Sequence, residues 1–419
     1  MNKPLFFSRC YYTLITLAVL SVPFTAFLYF FITPLLLILW IIEGEWKRKW
    51  NTLKEKNILI ITCTFVLFWL INVVGLLYSN DLIRGLMRTY DKLPFLVYPL
   101  VFFTLDKNYF TKEKIHILFK GVLGATAIML LLCWGRALAL YLSTGKTHHF
   151  YYSYLSQLFG HPAYCALLVC IAFTIAFYFF NHKPQTAHRL PRIAYACLLV
   201  FFAVSIYFLQ SRSSIVAFII VLFCTLFCYL QKHHKSFRQG IIGIVTVLIF
   251  IALIVKIFPN RIGLYFDKMN VEQWSTKTIL GQRSEIWSVS YQLAMQNKLS
   301  GIGTGYSVEQ YLAETDMEIF NTDRVLINAH NQFLQTFLEH GILGIGLLIF
   351  LMIYSFIFSI KTKNYLLLML LIALIINIFF ESMLERNHGI FIFTLFYCLF
   401  IVKNHIFAPF VNKHKFNID

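Results

Sequence analysis

One histidine motif carries the clearest chemical signal in the sequence. His330-Asn331 is followed after nine residues by Gly341-x-x-Gly344, and the chain then stays apolar from 345 to 358. This order predicts His330 at the water-facing entrance of a helix, where an imidazole titrates near neutral pH and the helix N-terminus attracts anions. His330 could take a proton from an attacking hydroxyl or bind phosphate. The alternative is a structural histidine that is satisfied by Asn331 or by a carbonyl group.

Two arginines are candidates to work with His330. Arg212 lies between two apolar runs and is flanked by serines, and Arg283 stands near the start of a predicted helix. A planar guanidinium suits bidentate contact with phosphate or diphosphate. The alternatives are a lipid-facing or structurally paired Arg212, and an Arg283 that pairs with Glu285.

Further polar side chains are predicted to lie at the same water-facing level and to contact the substrate. Two are arginines four residues apart, on one face of a helix, which could form a positive rim or contact lipid headgroups. Another is a histidine directly before a proline at the entrance of a span. The predicted substrate-binding residues are Arg84, Arg88, His161, Asn331 and Arg386.

Two glutamates share a polar turn near the C-terminus. Glu381 and Glu385 are four residues apart, next to Arg386. We expect them to pair with arginines, the alternative being that they are catalytic acids. Acidic pairs with the spacing of metal ligands do not appear at the span entrances, so the sequence predicts no metal and no cofactor, with arginines neutralising the anionic substrate instead.

The composition identifies the elements that must position these residues. Of the 419 residues, 59% are hydrophobic, and the mean hydropathy is +0.69. Apolar runs of membrane-spanning length recur along the whole chain, which indicates helices rather than barrel strands. The sequence therefore predicts an all-α polytopic membrane protein with about twelve transmembrane helices and one long loop outside the membrane.

The predicted organisation is one membrane domain with an insertion. Transmembrane helices 1–9 occupy 1–258, the loop with short helices occupies 259–326, helices 10–12 occupy 327–402, and a tail covers 403–419. Within the loop, 284–296 has helical spacing and 299–305 is a glycine turn. The tenth helix is expected to carry both motif glycines on one face.

The charge distribution predicts the orientation. The formal net charge is +17, with 19 lysines and arginines in the predicted inner loops and the C-terminal tail against 5 in the short outer loops. The long loop is slightly acidic, with 6 basic and 8 acidic residues. This bias places both termini in the cytoplasm and the long loop outside. It also explains the basic excess without nucleic-acid binding.

These residues resemble the O-antigen ligase and O-antigen polymerase superfamily. Its pattern of His, then Asn, Ser or Gln, nine residues and Gly-x-x-Gly is matched by His330-Asn331 and the glycines that follow. Arg212 and Arg283 resemble its two arginine landmarks, and the 379–386 stretch resembles the C-terminal part of one ligase-like branch.

The resemblance implies a C-type glycosyltransferase architecture in the bacterial inner membrane, active on the periplasmic side. It implies an undecaprenyl-diphosphate-linked glycan donor, a lipid A-core acceptor, and no metal or nucleotide. Arg212 and Arg283 would hold the diphosphate, and His330 would be the base or would orient the acceptor.

Three other functions stay open on the sequence. A polymerase of the same superfamily would extend the carrier-linked glycan, and a protein O-oligosaccharyltransferase would modify periplasmic proteins. A transporter is less well supported, because the spans contain few midspan charges and no clear internal repeat.

Overall fold

The computed structural model describes residues 3–24, 27–106, 109–182, 189–232, 279–305 and 328–407, and all regular elements in these ranges are helical. The first group of α-helices comprises α1 (Lys3–Ser21), α2 (Phe27–Glu43), α3 (Trp46–Leu53), α4 (Lys56–Gly75), α5 (Leu82–Asp91), α6 (Pro94–Thr104), α7 (Lys112–Thr144) and α8 (Tyr152–Ser156). The second comprises α9 (Pro162–His182), α10 (Arg189–Leu209), α11 (Arg212–Lys232), α12 (Ile279–Gln296), α13 (Gln332–Lys361), α14 (Tyr365–Phe380) and α15 (Asn387–Phe407).

Seven of the described helices are long and apolar enough to cross a membrane. The bent pair α2 and α3, with 113° between the two helices, adds an eighth span if it is counted as one. The seven are α1, α4, α7, α9, α10, α13 and α15. The chain is therefore an all-α membrane protein, as its composition predicts.

The predicted count of twelve spans stays a prediction. The fourth and eleventh predicted spans correspond to α6 and α14, whose 11 and 16 residues are shorter than a full crossing, and the eighth corresponds to α11. The ninth, at 241–258, lies outside the described residues. Of the predicted long loop, the structure describes only 279–305, which contains α12 and the glycine turn.

The core of the bundle is formed by α15 together with α6, α9 and α14. Aromatic side chains fill the space where α4, α6 and α15 meet: Phe65 lies 4.9 Å from Tyr397, centroid to centroid, and Tyr29 of α2 stacks on Phe391 at 3.5 Å. Such rings bury large areas of apolar surface and fix the relative positions of the helices. Side chains at both ends of α15 are thereby held in place.

The bundle has two distinct ends. At the site end, α4 terminates near Gly75, α6 begins at Pro94, and α13 and α15 begin. At the basic end lie α3, the start of α4 and the end of α13, where Tyr354 donates to Asn57 at 2.9 Å. Among the described residues, the basic segments 47–56, 112–114 and 361–363 lie at this basic end, and the motif residues lie at the other.

The tenth predicted span is broken rather than continuous. Gly341, inside α13, has φ 61° and ψ −156°, which is not helical. The expectation that Gly341 and Gly344 share one face of an unbroken helix is therefore wrong. The break exists because the backbone groups it frees bind the glycine turn: Ile342 N donates to Lys298 O at 2.8 Å, and Ile302 N donates to Leu338 O at 3.0 Å.

Candidate functional site

The centre of the site is a histidine, a glutamate and an arginine in direct contact. Nδ1 of His330 lies 3.0 Å from Oε2 of Glu381, and Nη2 of Arg283 donates to Oε1 of the same carboxylate at 2.8 Å. All three side chains remain partly exposed, at 37%, 19% and 28% for His330, Glu381 and Arg283. Because an ionised carboxylate only accepts hydrogen bonds, Nδ1 of His330 carries the proton of this contact, and Nε2 is not engaged by Glu381.

His330 is held in this position by the segment that leads into α13. Its φ is 45°, which is uncommon for a non-glycine residue. Its backbone N–H donates to the side chain of Asn328 at 2.9 Å, and the N–H of Ala329 donates to Gln335 at 2.9 Å. Asn331, a predicted substrate contact, instead caps α13: its Oδ1 accepts from Leu334 N at 3.1 Å. These bonds fix the backbone on both sides of the imidazole.

Glu381 directly follows α14. Its backbone N–H donates to Asn377 O at 2.9 Å, and the turn that follows is fixed by Leu384 N, which donates to Gln332 of α13 at 2.7 Å. Burial raises the pKa of Glu381, but the hydrogen bond from His330 and the charges of His330 and Arg283 outweigh it, so the pKa is lowered. Glu381 is therefore an anion at neutral pH.

Arg212 stands at the first residue of α11, next to the end of α14. The chain turns between α10 and α11 through Gln210, whose φ is 46°. Ser213 and Ser214 then donate to Oδ1 of Asn377 at 2.9 and 2.8 Å. Asn377 lies one helical turn before Glu381, so the same end of α14 anchors the start of α11 and carries the carboxylate of the site. The half-buried side chain of Arg212 starts from this junction.

His161 and Arg386 lie within electrostatic range of this centre. Water reaches the imidazole of His161, but the surrounding protein partly desolvates it, which lowers its pKa. Glu381 opposes this shift, whereas His330, Arg283 and Arg386 add to it. His161 is thus a neutral ring at pH 7 beside several positive charges.

The two arginines of α5 make different contacts. Nη1 of Arg88 donates to the backbone carbonyl of Glu385, so this arginine joins α5 to the turn that carries Glu381. Arg84 lies one turn earlier and pairs with Asp81 of its own helix at 3.7 Å. Among the described contacts of the two predicted rim arginines, that of Arg88 leads to the site.

Behind the open centre is a buried set of charged and polar side chains, here named the Lys92 cluster: Lys92, Glu339, Glu385, Asn72 and His340. Nζ of Lys92 lies 2.9 Å from Oε2 of Glu385 and 3.2 Å from Oε2 of Glu339, and it donates to Asn72 at 2.9 Å. Burial lowers the pKa of Lys92, but the two carboxylates outweigh it and the pKa is raised. Lys92 is therefore a buried cation between two glutamates.

The Lys92 cluster connects the glycine turn to the turn that carries Glu381. Thr304 donates to the backbone of Asn72 at 2.7 Å, and His340 shares Asn72 Oδ1 with Lys92. On the other side, Gln332 donates to Glu385 at 2.9 Å while its oxygen fixes the 381–386 turn. A movement of this cluster would therefore displace Glu381.

The Lys92 cluster was not predicted from the sequence, although one pattern in the sequence indicates it. Gln332, Gln335, Thr336 and Glu339 recur every three or four residues in an otherwise apolar helix, which places them on one face. A polar stripe on a membrane helix indicates a buried polar partner. The partner of this stripe, Lys92, has no sequence feature that distinguishes it from an ordinary lysine at a helix boundary.

Within the described ranges, no group of three or more His, Cys, Asp or Glu side chains is arranged to hold a metal ion. The charged groups of the site are the side chains already described. They can hold an anionic substrate and exchange a proton at His330.

Fold and site together define a class: a polytopic helical membrane protein with a partly open cationic site at one end of the bundle, built around a histidine–carboxylate pair. Residues 197–349 match the sequence model of the O-antigen ligase family. This region contains Arg212, Arg283 and His330, and the match supports the O-antigen ligase superfamily that the motif predicts. No curated protein matches the chain.

Proposed function

We propose that this protein is an O-antigen ligase that transfers a polysaccharide from undecaprenyl diphosphate to a sugar of lipid A-core. The observation that carries the proposal is the contact of His330 and Arg283 with one carboxylate, Glu381, inside the region that matches the family. A base with a fixed ring and cations beside it are the groups that such a transfer requires.

The histidine would handle the proton of the acceptor. A sugar hydroxyl of lipid A-core attacks the anomeric carbon of the donor glycan, and the bond from this carbon to the diphosphate oxygen breaks. Nε2 of His330 takes the hydroxyl proton, because Nδ1 is committed to Glu381. The carboxylate orients the ring and stabilises the imidazolium that forms, in the role that an aspartate plays in hydrolytic triads.

The arginines would stabilise the leaving group. Undecaprenyl diphosphate gains negative charge as the bond breaks, so fixed guanidinium groups lower the energy of the transition state more than that of the ground state. Arg283 is oriented by Glu381, and Arg212 is positioned by the junction of α11 with α14. Arg88, Arg386 and His161 surround the centre and are proposed to contact donor or acceptor, as is Asn331 through its remaining amide group.

The proposed location is the bacterial inner membrane, with both termini cytoplasmic and the site periplasmic. It is supported by the separation of the two ends of the bundle: the lysine-rich connections lie at one end and the site at the other. Positive loops remain in the cytoplasm.

The test is complementation of a strain that lacks this gene with the Arg212→Ala and Arg283→Ala variants. We expect both variants to lose the lipopolysaccharide ladder on gels while their amounts in the membrane, measured by immunoblot, equal that of the unchanged protein. Lys146→Ala is the matched control, since this cation is exposed and lies on the same side of the bundle. A normal ladder in both arginine variants would refute the proposed roles.

The knockout itself separates the members of the superfamily. A ligase knockout loses the whole ladder and accumulates carrier-linked polysaccharide. Core with a single repeat would instead identify a polymerase, and an unchanged ladder with unmodified periplasmic proteins would identify a protein O-oligosaccharyltransferase.

A further inference from the structure

A cavity of about 750 Å³ opens at the basic end of the bundle, away from the candidate site. Its walls are α3, the start of α4, the end of α6 with the segment after it, and the end of α15. Along α15, Asn387 at the site end and Ile401 at the cavity are about 21 Å apart at 1.5 Å per residue. The cavity is therefore a separate feature of the opposite membrane face, and its size is that of a small-molecule site.

The lining of the cavity is amphipathic. Its inner wall is apolar and includes Phe102, Phe103 and Ile401. Its polar part carries charges of both signs, Lys47 and Arg48 on one hand and Glu45, Glu55 and Asp106 on the other. A purely anionic ligand would face three carboxylates, whereas a zwitterion with an apolar tail matches both parts of the lining.

The wall that carries the cations is rigid. Arg48 donates to Oε1 of Glu43 at 3.0 Å and to the carbonyl of Thr104 at 2.7 Å, which joins α3 to α2 and α6. Lys49 pairs with Oε2 of Glu43 at 2.9 Å and is buried. The cavity is therefore held open by a built ionic contact rather than by loosely packed side chains.

The helix α3 also has the composition of a segment at the membrane surface. Trp46 and Trp50 are 54% and 57% exposed. Tryptophans concentrate at the level of the lipid headgroups, because their rings are apolar and carry one N–H donor. A ligand that reaches the cavity past these side chains comes from the lipid leaflet.

We propose that this cavity binds a phospholipid whose headgroup carries a primary ammonium beside its phosphate, as in phosphatidylethanolamine. Lys47 contacts the phosphate, Glu55 accepts from the ammonium, and the phenylalanines cover the first part of an acyl chain. The bound lipid then forms part of the wall between α3, α6 and α15. This inference does not depend on the transfer reaction.

Lipid binding to the purified full-length protein tests the proposal. Native mass spectrometry and thermal unfolding would be measured in detergent with added dioleoyl phosphatidylethanolamine, phosphatidylcholine or phosphatidylglycerol, and with soluble phosphoethanolamine. We expect the phosphatidylethanolamine to be retained, and to raise the unfolding temperature, at a concentration at which the other two lipids and the soluble headgroup do not.

The double variant Lys47→Gln/Glu55→Gln removes the two proposed headgroup contacts. Both side chains are exposed, so the fold should be retained. The expected loss of apparent affinity is about tenfold, which corresponds to two solvent-accessible ionic contacts. The matched control is Lys54→Gln/Glu113→Gln, which changes the same residue types at exposed positions that do not line the cavity.

Four results would overturn the proposal. An equal response to all three lipids indicates a detergent-like effect, and tighter binding of phosphatidylglycerol indicates an anionic-lipid site. A response to the soluble headgroup alone indicates that no membrane lipid is needed. Unchanged selectivity in the double variant would place the lipid elsewhere on the surface.

Discussion

Glu381 and Glu385 are four residues apart, yet they belong to two different regions. Glu381 lies in the partly open site, where its 19% exposed carboxylate contacts His330 and Arg283. Glu385 is 4% exposed and lies in the Lys92 cluster, 2.9 Å from a buried ammonium. The same type of side chain therefore lies in the candidate site at one position and in the buried framework at the other, and burial determines how much stability the loss of its charge would cost.

The comparison predicts opposite effects for the two regions. In the open site, water and mobile ions can replace a lost partner, so a substitution should reduce activity and leave the fold intact. In the Lys92 cluster, a lost partner leaves a charge buried without compensation, so the fold itself should weaken.

The largest expected effect is that of Lys92→Met. The two carboxylates it leaves buried should lower the free energy of unfolding by about 3–5 kcal/mol. The measurement is thermal unfolding of the purified protein in detergent. Lys54→Met, at an exposed position, is the control and should unfold like the unchanged protein.

A triple variant sharpens this prediction. Lys92→Met combined with Glu339→Gln and Glu385→Gln removes all three charges and should recover a large part of the lost stability, because neutral groups of similar size tolerate burial. If the triple variant were as unstable as Lys92→Met, uncompensated charge would not be the cause.

Next in size is the effect of Glu381→Gln. The amide is neutral and has one accepting oxygen instead of two, so it cannot accept from both His330 and Arg283 or stabilise the imidazolium. We expect transfer to fall about a hundredfold in an assay with carrier-linked glycan and lipid A-core, with at most a small drop in unfolding temperature, because the partly exposed ion pair of Glu381 contributes little to stability. Glu385→Gln should instead mainly lower stability, and a drop in stability for Glu381→Gln as large as that for Glu385→Gln would remove the distinction between the regions.

The dependence of stability on pH provides an independent test of the ion pair of Glu381. The pKa of Glu381 is lowered in the folded protein. Its ion pair therefore stabilises the fold fully at pH values above the pKa of an unfolded glutamate, about 4.3. This stabilisation is lost as the pH falls through the pKa of Glu381 in the folded protein. No loss from this pair is expected between pH 5 and 8. Below this range, Glu381→Gln should lose less stability than the unchanged protein.

A substitution at the break in α13 is expected to have an effect of intermediate size on stability. At Gly341, φ 61° and ψ −156° lie in a region that is accessible essentially only to glycine, and a methyl group would overlap the carbonyl of Leu299. Gly341→Ala should therefore cost at least about 1–3 kcal/mol in unfolding experiments. Gly346→Ala is the control on the same helix, because nothing lies within 4 Å of the added methyl group. Equal stability of both variants would contradict the connection between the break and the glycine turn.

The parts of this fold that could be predicted depend on local sequence. The apolar run from Tyr365 to Phe380 has the bounds of α14, and most other predicted spans agree with helices to within a few residues. Length and hydropathy determine such elements, because the lipid requires every backbone group to be bonded within the helix. The helical spacing after Ser284 likewise predicted most of α12.

What could not be predicted depends on contacts between distant segments. Arg283 pairs with Glu381, 98 residues away in the sequence. The break at Gly341 requires the carbonyl of Lys298, which no pattern around the motif reveals. The Lys92 cluster joins α4, α5, α13 and the turn before α15. Side-chain pairing over such separations follows from the packing of the bundle, whereas the motif residues were found because their types are rare at the entrances of apolar spans.

The smallest expected effect concerns Asn331, for which the predicted role and the observed contact differ. As a cap of α13 that accepts from Leu334 N, its replacement by alanine should cost about 1 kcal/mol of stability and reduce transfer little. Asn331→Asp keeps the accepting oxygen and restores the cap, but adds a negative charge where the donor diphosphate is proposed to bind. If Asn331 only caps the helix, the aspartate variant transfers glycan normally; if it also contacts the diphosphate, transfer falls although unfolding is unchanged. Measuring both the steady-state transfer rate and the unfolding temperature of the two variants thus decides whether Asn331 only supports the fold or also contacts the substrate in the open site.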